Sequence, residues 1–183
     1  MIKFIAFDIG GVLAYPDKQQ LTNHEKLLLQ AYLNEIKMDS ELEQEVTEKI
    51  NGIYQKLYIP IEKNFQTLES VVKSGYLPSI WTNNRPAITA WIKSSGIDKY
   101  LLPQFLCNSC NMPNGINKPN FMFYIHALRQ MGALANQVLF IDDNKKNIVE
   151  GEKLRISGIH YQADQNLEEE IKQKIKQLER KHL

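Results

Sequence analysis

Short apolar segments alternate with amphipathic segments along most of this chain, and the alternation strongly constrains its fold. The apolar segments predict buried strands at 2–7, 79–82, 105–107, 137–141 and 158–161. The segments between and after them have the apolar spacing of helices, at 61–74, 85–95, 120–131, 145–154 and 167–180. Strands that alternate with helices form a parallel sheet covered on both faces. We therefore predict an α/β fold with a Rossmann-like, five-stranded parallel sheet flanked by helices.

One region interrupts this alternation. Residues 21–37 and 41–57 carry apolar side chains at helical spacing, with no predicted strand between them. The pattern predicts a small helical cap inserted after the first strand. We place the cap at residues 15–60 and the core domain at residues 1–14 and 61–183.

The composition argues against several other classes of protein. Hydrophobic residues make up 43% of the 183 residues, which is enough for a packed core. The net charge of +1 gives no reason to expect binding to nucleic acid or to an anionic membrane. No segment approaches the roughly 20 apolar residues of a membrane span, and the beginning of the chain lacks the pattern of a signal peptide. We expect a cytoplasmic protein, and the sequence leaves its oligomeric state open.

Two cysteines, Cys107 and Cys110, are spaced as in a zinc or redox motif. A single pair without a second Cys or His pair is a weak zinc signal. The pair also follows a predicted strand, whereas reactive thiol pairs usually lie at a helix N-terminus. We interpret both cysteines as structural.

Polar residues stand at the boundaries of the predicted elements. Asp8 follows the first strand, Thr82 ends the second, and Asp142 and Asp143 follow the fourth; Lys118 precedes a proline that opens a helix. The carboxyl ends of strands are where open α/β sheets bind their ligands. A carboxylate there can attack phosphorus, and a hard cation such as Mg²⁺ offsets the repulsion between the two anions.

These residues divide into two predicted groups. For Mg²⁺, the oxygen ligands are Asp8, Asp142, Asp143 and the backbone carbonyl of Gly10. Two adjacent carboxylates repel each other unless a cation lies between them. For the phosphoryl group, the predicted contacts are the Thr82 hydroxyl, Lys118, and backbone amides near Gly11 and Asn83.

The order strand-Asp, strand-Thr, Lys-Pro-helix and strand-Asp-Asp resembles the haloacid dehalogenase superfamily of phosphohydrolases, in particular the members with a small helical cap. The likeness is strongest in Phe7-Asp-Ile-Gly-Gly-Val-Leu13, in Gly115-Ile-Asn-Lys-Pro-Asn120 and in Phe140-Ile-Asp-Asp-Asn-Lys-Lys-Asn147. It implies that the strands, numbered one to five along the chain, lie in the order 5-4-1-2-3. It also implies a Mg²⁺-dependent phosphatase that acts on a small phosphorylated substrate through an aspartyl-phosphate.

The resemblance implies a role for each matched residue. Asp8 resembles the nucleophile, Thr82 the phosphate-binding hydroxyl and Lys118 the family lysine. Asp143 resembles the direct metal ligand, with Asp142 as its close partner. Together with Gly10, Gly11 and Asn83, these residues form the predicted site.

The sequence departs from the family pattern at Gly10, where phosphatases usually carry an aspartate that protonates the leaving group. Such general acid–base help contributes about 10²–10⁴ in rate. Three interpretations stay open. A good leaving group needs no acid, another group such as Asp17 replaces it, or the protein binds phosphate and catalyses weakly. A metal-independent 2-haloacid dehalogenase is a further alternative, which the Asp142–Asp143 pair disfavours.

Overall fold

The computed structural model describes residues 1–34 and 40–180, with side chains for residues 1–34 and 45–180. Within these ranges lie the strands β1 Phe4–Phe7, β2 Ala14–Pro16, β3 Tyr58–Pro60, β4 Leu77–Thr82, β5 Leu106–Asn108, β6 Val138–Asp142 and β7 Ser157–His160. The helices are α1 Asn23–Leu33, α2 Ser40–Leu57, α3 Glu62–Lys73, α4 Ile88–Ser95, α5 Phe121–Met131, α6 Lys145–Lys153 and α7 Leu167–Arg180. Short 3-10 helices occupy Lys18–Gln20, Ile97–Tyr100, Pro103–Phe105, Ser109–Asn111, Pro113–Gly115 and Ala135–Gln137.

Five of the strands form one parallel sheet in the order β5-β4-β1-β6-β7, which confirms the predicted α/β class. The observed numbers differ from the predicted 5-4-1-2-3 because the sequence analysis did not predict β2 and β3. These two strands form a separate antiparallel pair. When the five sheet strands are counted alone, each has the neighbours that the predicted order gives it.

The period of two along the strands sends alternate side chains to opposite faces of the sheet. In β1, Ile5 and Phe7 join a cluster with residues of α3, α4 and α7, whereas Phe4 and Ala6 join a cluster with residues of α5 and α6. The middle strands are therefore buried on both faces, as expected for a parallel sheet.

The inserted segment packs its helices on the same face as α4. Leu29 of α1 and Ile50, Ile53 and Leu57 of α2 are buried in the cluster that includes Trp91 of α4. The segment begins and ends with the β2–β3 pair, in which Pro16 lies opposite Tyr58. The boundaries 15–60 stay a prediction.

Several predicted helix ends differ from the structure. The first cap helix begins at Asn23, not at Leu21, because Thr22 and Glu25 form a capping box. Its predicted end at residues 35–37, including Ile36, and the side chain of Leu42 lie outside the described residues. The predicted helix start at residue 85 is wrong: α4 begins at Ile88, and the side chain of the preceding Asn84 bonds to other groups. By contrast, α6 begins at Lys145 as predicted, with Asn144 as its cap.

In the described part of the chain, no helix combines the length and the apolar character that crossing a bilayer requires.

We expect Gly158→Ala to destabilise the protein, because a Cβ at this position of β7 would lie 2.5 Å from Ile148 Cγ2 of α6. Forcing α6 away from the sheet costs about 1–3 kcal/mol. The matched control is Gly52→Ala within α2, where a Cβ meets nothing within 4 Å. There the better helix propensity of alanine should stabilise the fold by about 0.5–1 kcal/mol. Urea unfolding measures both changes, and equal stabilities for the two variants would contradict the expected packing of β7 against α6.

Candidate active site

Three neighbouring strands end at one edge of the sheet, and two of them, β1 and β6, bring the predicted acidic residues together there. Phe7 of β1 lies in register with Ile80 of β4 and Ile141 of β6, so the residues that follow emerge at one edge. The carboxylates of Asp8, Asp142 and Asp143 each offer an oxygen within 4.8 Å of the others. In the part of the chain that the structure describes, this is the one group of three or more potential metal ligands.

Lys118 provides the cation at the centre of this cluster. Its side chain is 1% exposed, and its Nζ lies 3.1 Å from Asp8 Oδ1 and 2.7 Å from Asp142 Oδ2. The same Nζ donates to the Trp81 carbonyl oxygen at 2.7 Å. All three ammonium protons can therefore be used within the protein. Three carboxylates with one lysine leave two negative charges at this edge.

Asp142 is the most enclosed acid of the cluster, with no exposed surface. Its Oδ1 accepts from the backbone N–H of Asn144 at 2.8 Å, and the Asn147 amide donates to both carboxylate oxygens at 3.0 and 2.9 Å. With Lys118 on Oδ2, both carboxylate oxygens accept from protein donors. A carboxylate held in this way can position its neighbours, and its place beside the direct metal ligand stays a prediction.

Asp143 is exposed and faces the glycine loop after β1. Gly11 has φ +70°, and a Cβ at this position would overlap the Asp143 carboxylate. The His160 ring lies 2.9 Å from the Asp143 carbonyl oxygen through Nε2. Gly11 therefore contributes space for Asp143, whereas its backbone N–H donates to the Ala14 carbonyl at 2.9 Å. The prediction that this amide holds phosphate does not agree with the observed bond.

Asp8 has one engaged and one available carboxylate oxygen. Its Oδ1 accepts from the Ile9 N–H at 2.8 Å and contacts Lys118, so Oδ2 faces no donor from a described residue. Burial raises the pKa of Asp8 to about 6, although Lys118 opposes the shift. Burial, together with the charge of Asp142, also raises the pKa of Asp143. Burial is the main cause of both shifts, and an oxygen-liganded divalent cation would fit the donor set of three neighbouring carboxylates.

Two of the predicted phosphate contacts, Thr82 and Asn83, lie at the carboxyl end of β4 and just after it. Thr82 is 1% exposed, and its Oγ1 accepts from Asn84 Nδ2 at 3.0 Å. The Asn83 side chain joins the lysine loop through two bonds, from Nδ2 to the Lys118 carbonyl at 2.8 Å and from the Lys118 N–H to Oδ1 at 2.9 Å. The side chain of Asn83 thus supports Lys118, and only its backbone amide stays a predicted phosphate contact.

The position of the missing acid is sterically open. A Cβ built at Gly10 meets nothing within 4 Å. Asp17, the suggested substitute, accepts from Gln19 N at 2.8 Å and from Gln20 Nε2 at 3.2 Å, so it caps a local 3-10 helix. These bonds give Asp17 a structural role.

The cysteine pair shows no sign of a metal site. Cys107 is fully buried in β5, and burial raises the pKa of its thiol to about 12. Cys110 is partly exposed, and both thiols are free. The structural interpretation agrees with this placement.

A cavity of about 640 Å³ lies between the inserted segment and the loops of the core. Tyr54 and Tyr58 of the insert line one side, and Asn84, Arg85 and Asn117 of the core line another. Asn84 was not among the predicted site residues. The short Thr82-Asn83-Asn84 run was the available signal for it.

Comparison with known proteins gives a consistent family. A family model described as haloacid dehalogenase-like hydrolase matches residues 9–161. A solved haloacid dehalogenase family enzyme from Bacteroides thetaiotaomicron has a TM-score of 0.67 and 17% identity, covering 93% of this chain and 98% of that chain. The same enzyme in complex with magnesium and inorganic phosphate has a TM-score of 0.66 and 18% identity, with coverages of 92% and 98%.

Two further solved structures have the same fold. A predicted hydrolase of this family from Porphyromonas gingivalis has a TM-score of 0.65 and 22% identity, covering 96% of this chain and 98% of that chain. A dehalogenase solved with an intermediate complex has a TM-score of 0.62 and 18% identity, with coverages of 90% and 87%. No curated protein matches the chain. At these identities the solved structures establish the fold and leave the activity open.

We expect Lys118→Met to destabilise the protein strongly at pH 8, because it leaves the buried Asp142 carboxylate without its cation. Removing one partner of a buried ion pair costs about 3–5 kcal/mol. Lys49→Met is the matched control, since Lys49 forms an exposed pair with Glu45 and should leave the urea midpoint nearly unchanged. Equal midpoints for the two variants would show that Lys118 does not stabilise the acidic cluster.

Proposed function

Since this chain belongs to the haloacid dehalogenase-like hydrolase family, we propose that it is a Mg²⁺-dependent phosphohydrolase that forms an aspartyl-phosphate on Asp8. The observation that carries the proposal is the cluster of three carboxylates, two of which contact one buried lysine. Its two excess negative charges suit a site that binds a divalent cation and, through it, a phosphoryl group.

The donor set fits Mg²⁺, which prefers oxygen ligands and usually one or two carboxylates. The ion would be held by Asp8, Asp143 and the backbone carbonyl of Gly10. Asp142 would act as the close partner of Asp143. When bound, the ion supplies the positive charge that lets an anionic nucleophile approach an anionic phosphoryl group. A family enzyme from Bacteroides thetaiotaomicron solved with magnesium and inorganic phosphate supports this assignment.

Asp8 acts as the nucleophile in this proposal. Ile9 and Lys118 hold Oδ1 and fix the plane of the carboxylate, which leaves Oδ2 to attack phosphorus. The P–O bond to the leaving group breaks as the Oδ2–P bond forms, and the leaving group departs as an anion or takes a proton from water. Water then attacks phosphorus, the Oδ2–P bond breaks, and inorganic phosphate, a proton and the free Asp8 carboxylate are released. Thr82, the Asn83 backbone amide and the charge of Lys118 stabilise the phosphoryl oxygens.

The cavity between insert and core accepts the rest of the substrate. Its volume of about 640 Å³ lies in the range of small-molecule sites, and its walls combine tyrosines with amide side chains. These features support a small phosphorylated metabolite as the substrate class.

Gly10 favours a second candidate, a phosphate-binding protein on the same fold with weak turnover. No carboxylate follows the nucleophile at the position from which a leaving group could receive a proton. A metal-independent dehalogenase is a third candidate, suggested by the dehalogenase of the same fold. The acidic cluster argues against it, since displacement of a halide needs no Mg²⁺.

Hydrolysis of p-nitrophenyl phosphate and of a panel of phosphorylated sugars, nucleotides and amino acids tests the proposal. We expect turnover that requires Mg²⁺ and that disappears in Asp8→Asn, because the amide cannot act as the nucleophile.

The controls separate the three candidates. Mg²⁺-dependent binding of inorganic phosphate without turnover across the panel would favour the binding protein. Chloride release from 2-chloropropionate that a chelator does not diminish would establish the dehalogenase.

Gly10→Asp tests whether the missing acid limits the rate. Since a Cβ at Gly10 meets no atom within 4 Å, the new side chain can be accommodated. We expect kcat for alkyl phosphates to rise by about 10-fold or more, because their leaving groups need a proton. The kcat for p-nitrophenyl phosphate should change little, since its leaving group departs as an anion. An unchanged kcat for both substrates would indicate that another group already protonates the leaving oxygen.

A further inference from the structure

The hydroxyl of Tyr58 bridges the inserted segment and the phosphate-binding loop. Tyr58 stands on β3, where its hydroxyl donates to Asn84 Oδ1 at 2.9 Å. Its backbone carbonyl accepts from Trp91 Nε1 at 2.7 Å, and its ring packs against the rings of Tyr54 and Trp91 at 5.8 and 5.7 Å. The ring and the backbone are therefore both held, so the direction of the hydroxyl is well defined.

Asn84 transmits this contact to Thr82. Its Nδ2 donates to Thr82 Oγ1 at 3.0 Å, and its backbone N–H donates to Asn108 Oδ1 at 3.0 Å. The side chain thus has two distinct ends, with the oxygen toward the insert and the nitrogen toward the core.

The orientation of the Asn84 amide determines whether the Thr82 hydroxyl can donate a hydrogen bond to the phosphoryl group. A hydroxyl has one proton and two lone pairs. When Asn84 Nδ2 occupies a lone pair, the Thr82 proton is available to a phosphoryl oxygen. If the amide turned over, Asn84 Oδ1 would accept the Thr82 proton, and the hydroxyl would face the phosphoryl group with lone pairs alone.

Tyr58 favours the first orientation. Phenols are better hydrogen-bond donors than acceptors, because the ring withdraws the oxygen lone pairs. Burial also raises the pKa of Tyr58, so the hydroxyl keeps its proton. A donor beside Asn84 requires the oxygen end of the amide at that place.

We propose that Tyr58, acting through Asn84, is a positioning residue that reserves the Thr82 proton for the phosphoryl group. This inference rests on the proposed function, since it assumes that Thr82 binds phosphate. It gives the inserted segment a part in phosphate binding without direct contact with the phosphate. Docking of β3 on the core and strong phosphate binding then depend on the same pair of hydrogen bonds.

Titration calorimetry with inorganic phosphate and Mg²⁺ tests the inference. In Tyr58→Phe, the Asn84 amide can rotate so that its oxygen faces Thr82. Phosphate binding must then reverse this rotation, which costs about one hydrogen bond. We expect phosphate to bind about 5-fold to 10-fold more weakly. Tyr32→Phe is the matched control, because its ring packs against Tyr54 in the same aromatic cluster and its hydroxyl lies outside this chain of bonds, and the affinity of this variant should equal that of the wild type.

The Thr82→Val background separates positioning from general support of the loop. If Tyr58 acts through the Thr82 hydroxyl, Tyr58→Phe should cause no further loss of affinity in Thr82→Val. An additional loss of the same size in that background, or an unchanged affinity of Tyr58→Phe alone, would overturn the inference. A wild-type protein that binds no phosphate would instead overturn the proposed function.

Discussion

A buried ammonium group between two carboxylates is the interaction on which this site depends. Burying charges is costly unless they are paired and hydrogen-bonded, and Lys118 meets both conditions through Asp8, Asp142 and the Trp81 carbonyl. Its backbone is held in turn by the Asn83 side chain. Contacts from β1, β4 and β6 therefore converge on one atom, and the sheet order is what brings these three strands side by side.

The features that the sequence predicted well are local ones. Periodicity identified the sheet strands, and Asp8, Thr82 and Asp142 could be placed at one edge because parallel strands end there together. The features that it missed depend on contacts between distant segments. Nothing near Asn84 in the chain indicates that Tyr58, 26 residues away, directs its side chain. Strands β2 and β3 have three residues each, too few for a recognisable pattern.

The two glycines after Asp8 differ in their physical roles, although the sequence presents them as a pair. Gly11 has a positive φ and stands where a Cβ would overlap Asp143, so the backbone and the acidic cluster both require glycine. Gly10 has open space around it, and a side chain could be accommodated. The absence of an acid at Gly10 is therefore a matter of chemistry and not of packing.

This difference bears on how the site could work with a short insert. An acid at residue 10 would belong to the core, whereas the Tyr58 hydroxyl of the insert reaches the site through one core asparagine. Tyr58 contacts Asn84, and the Asn84 amide contacts Thr82. An insert that acts in this way affects mainly the affinity for phosphate, and it has less effect on proton transfer. Binding would then depend on docking of the insert, and the leaving group itself would largely determine the rate of P–O cleavage.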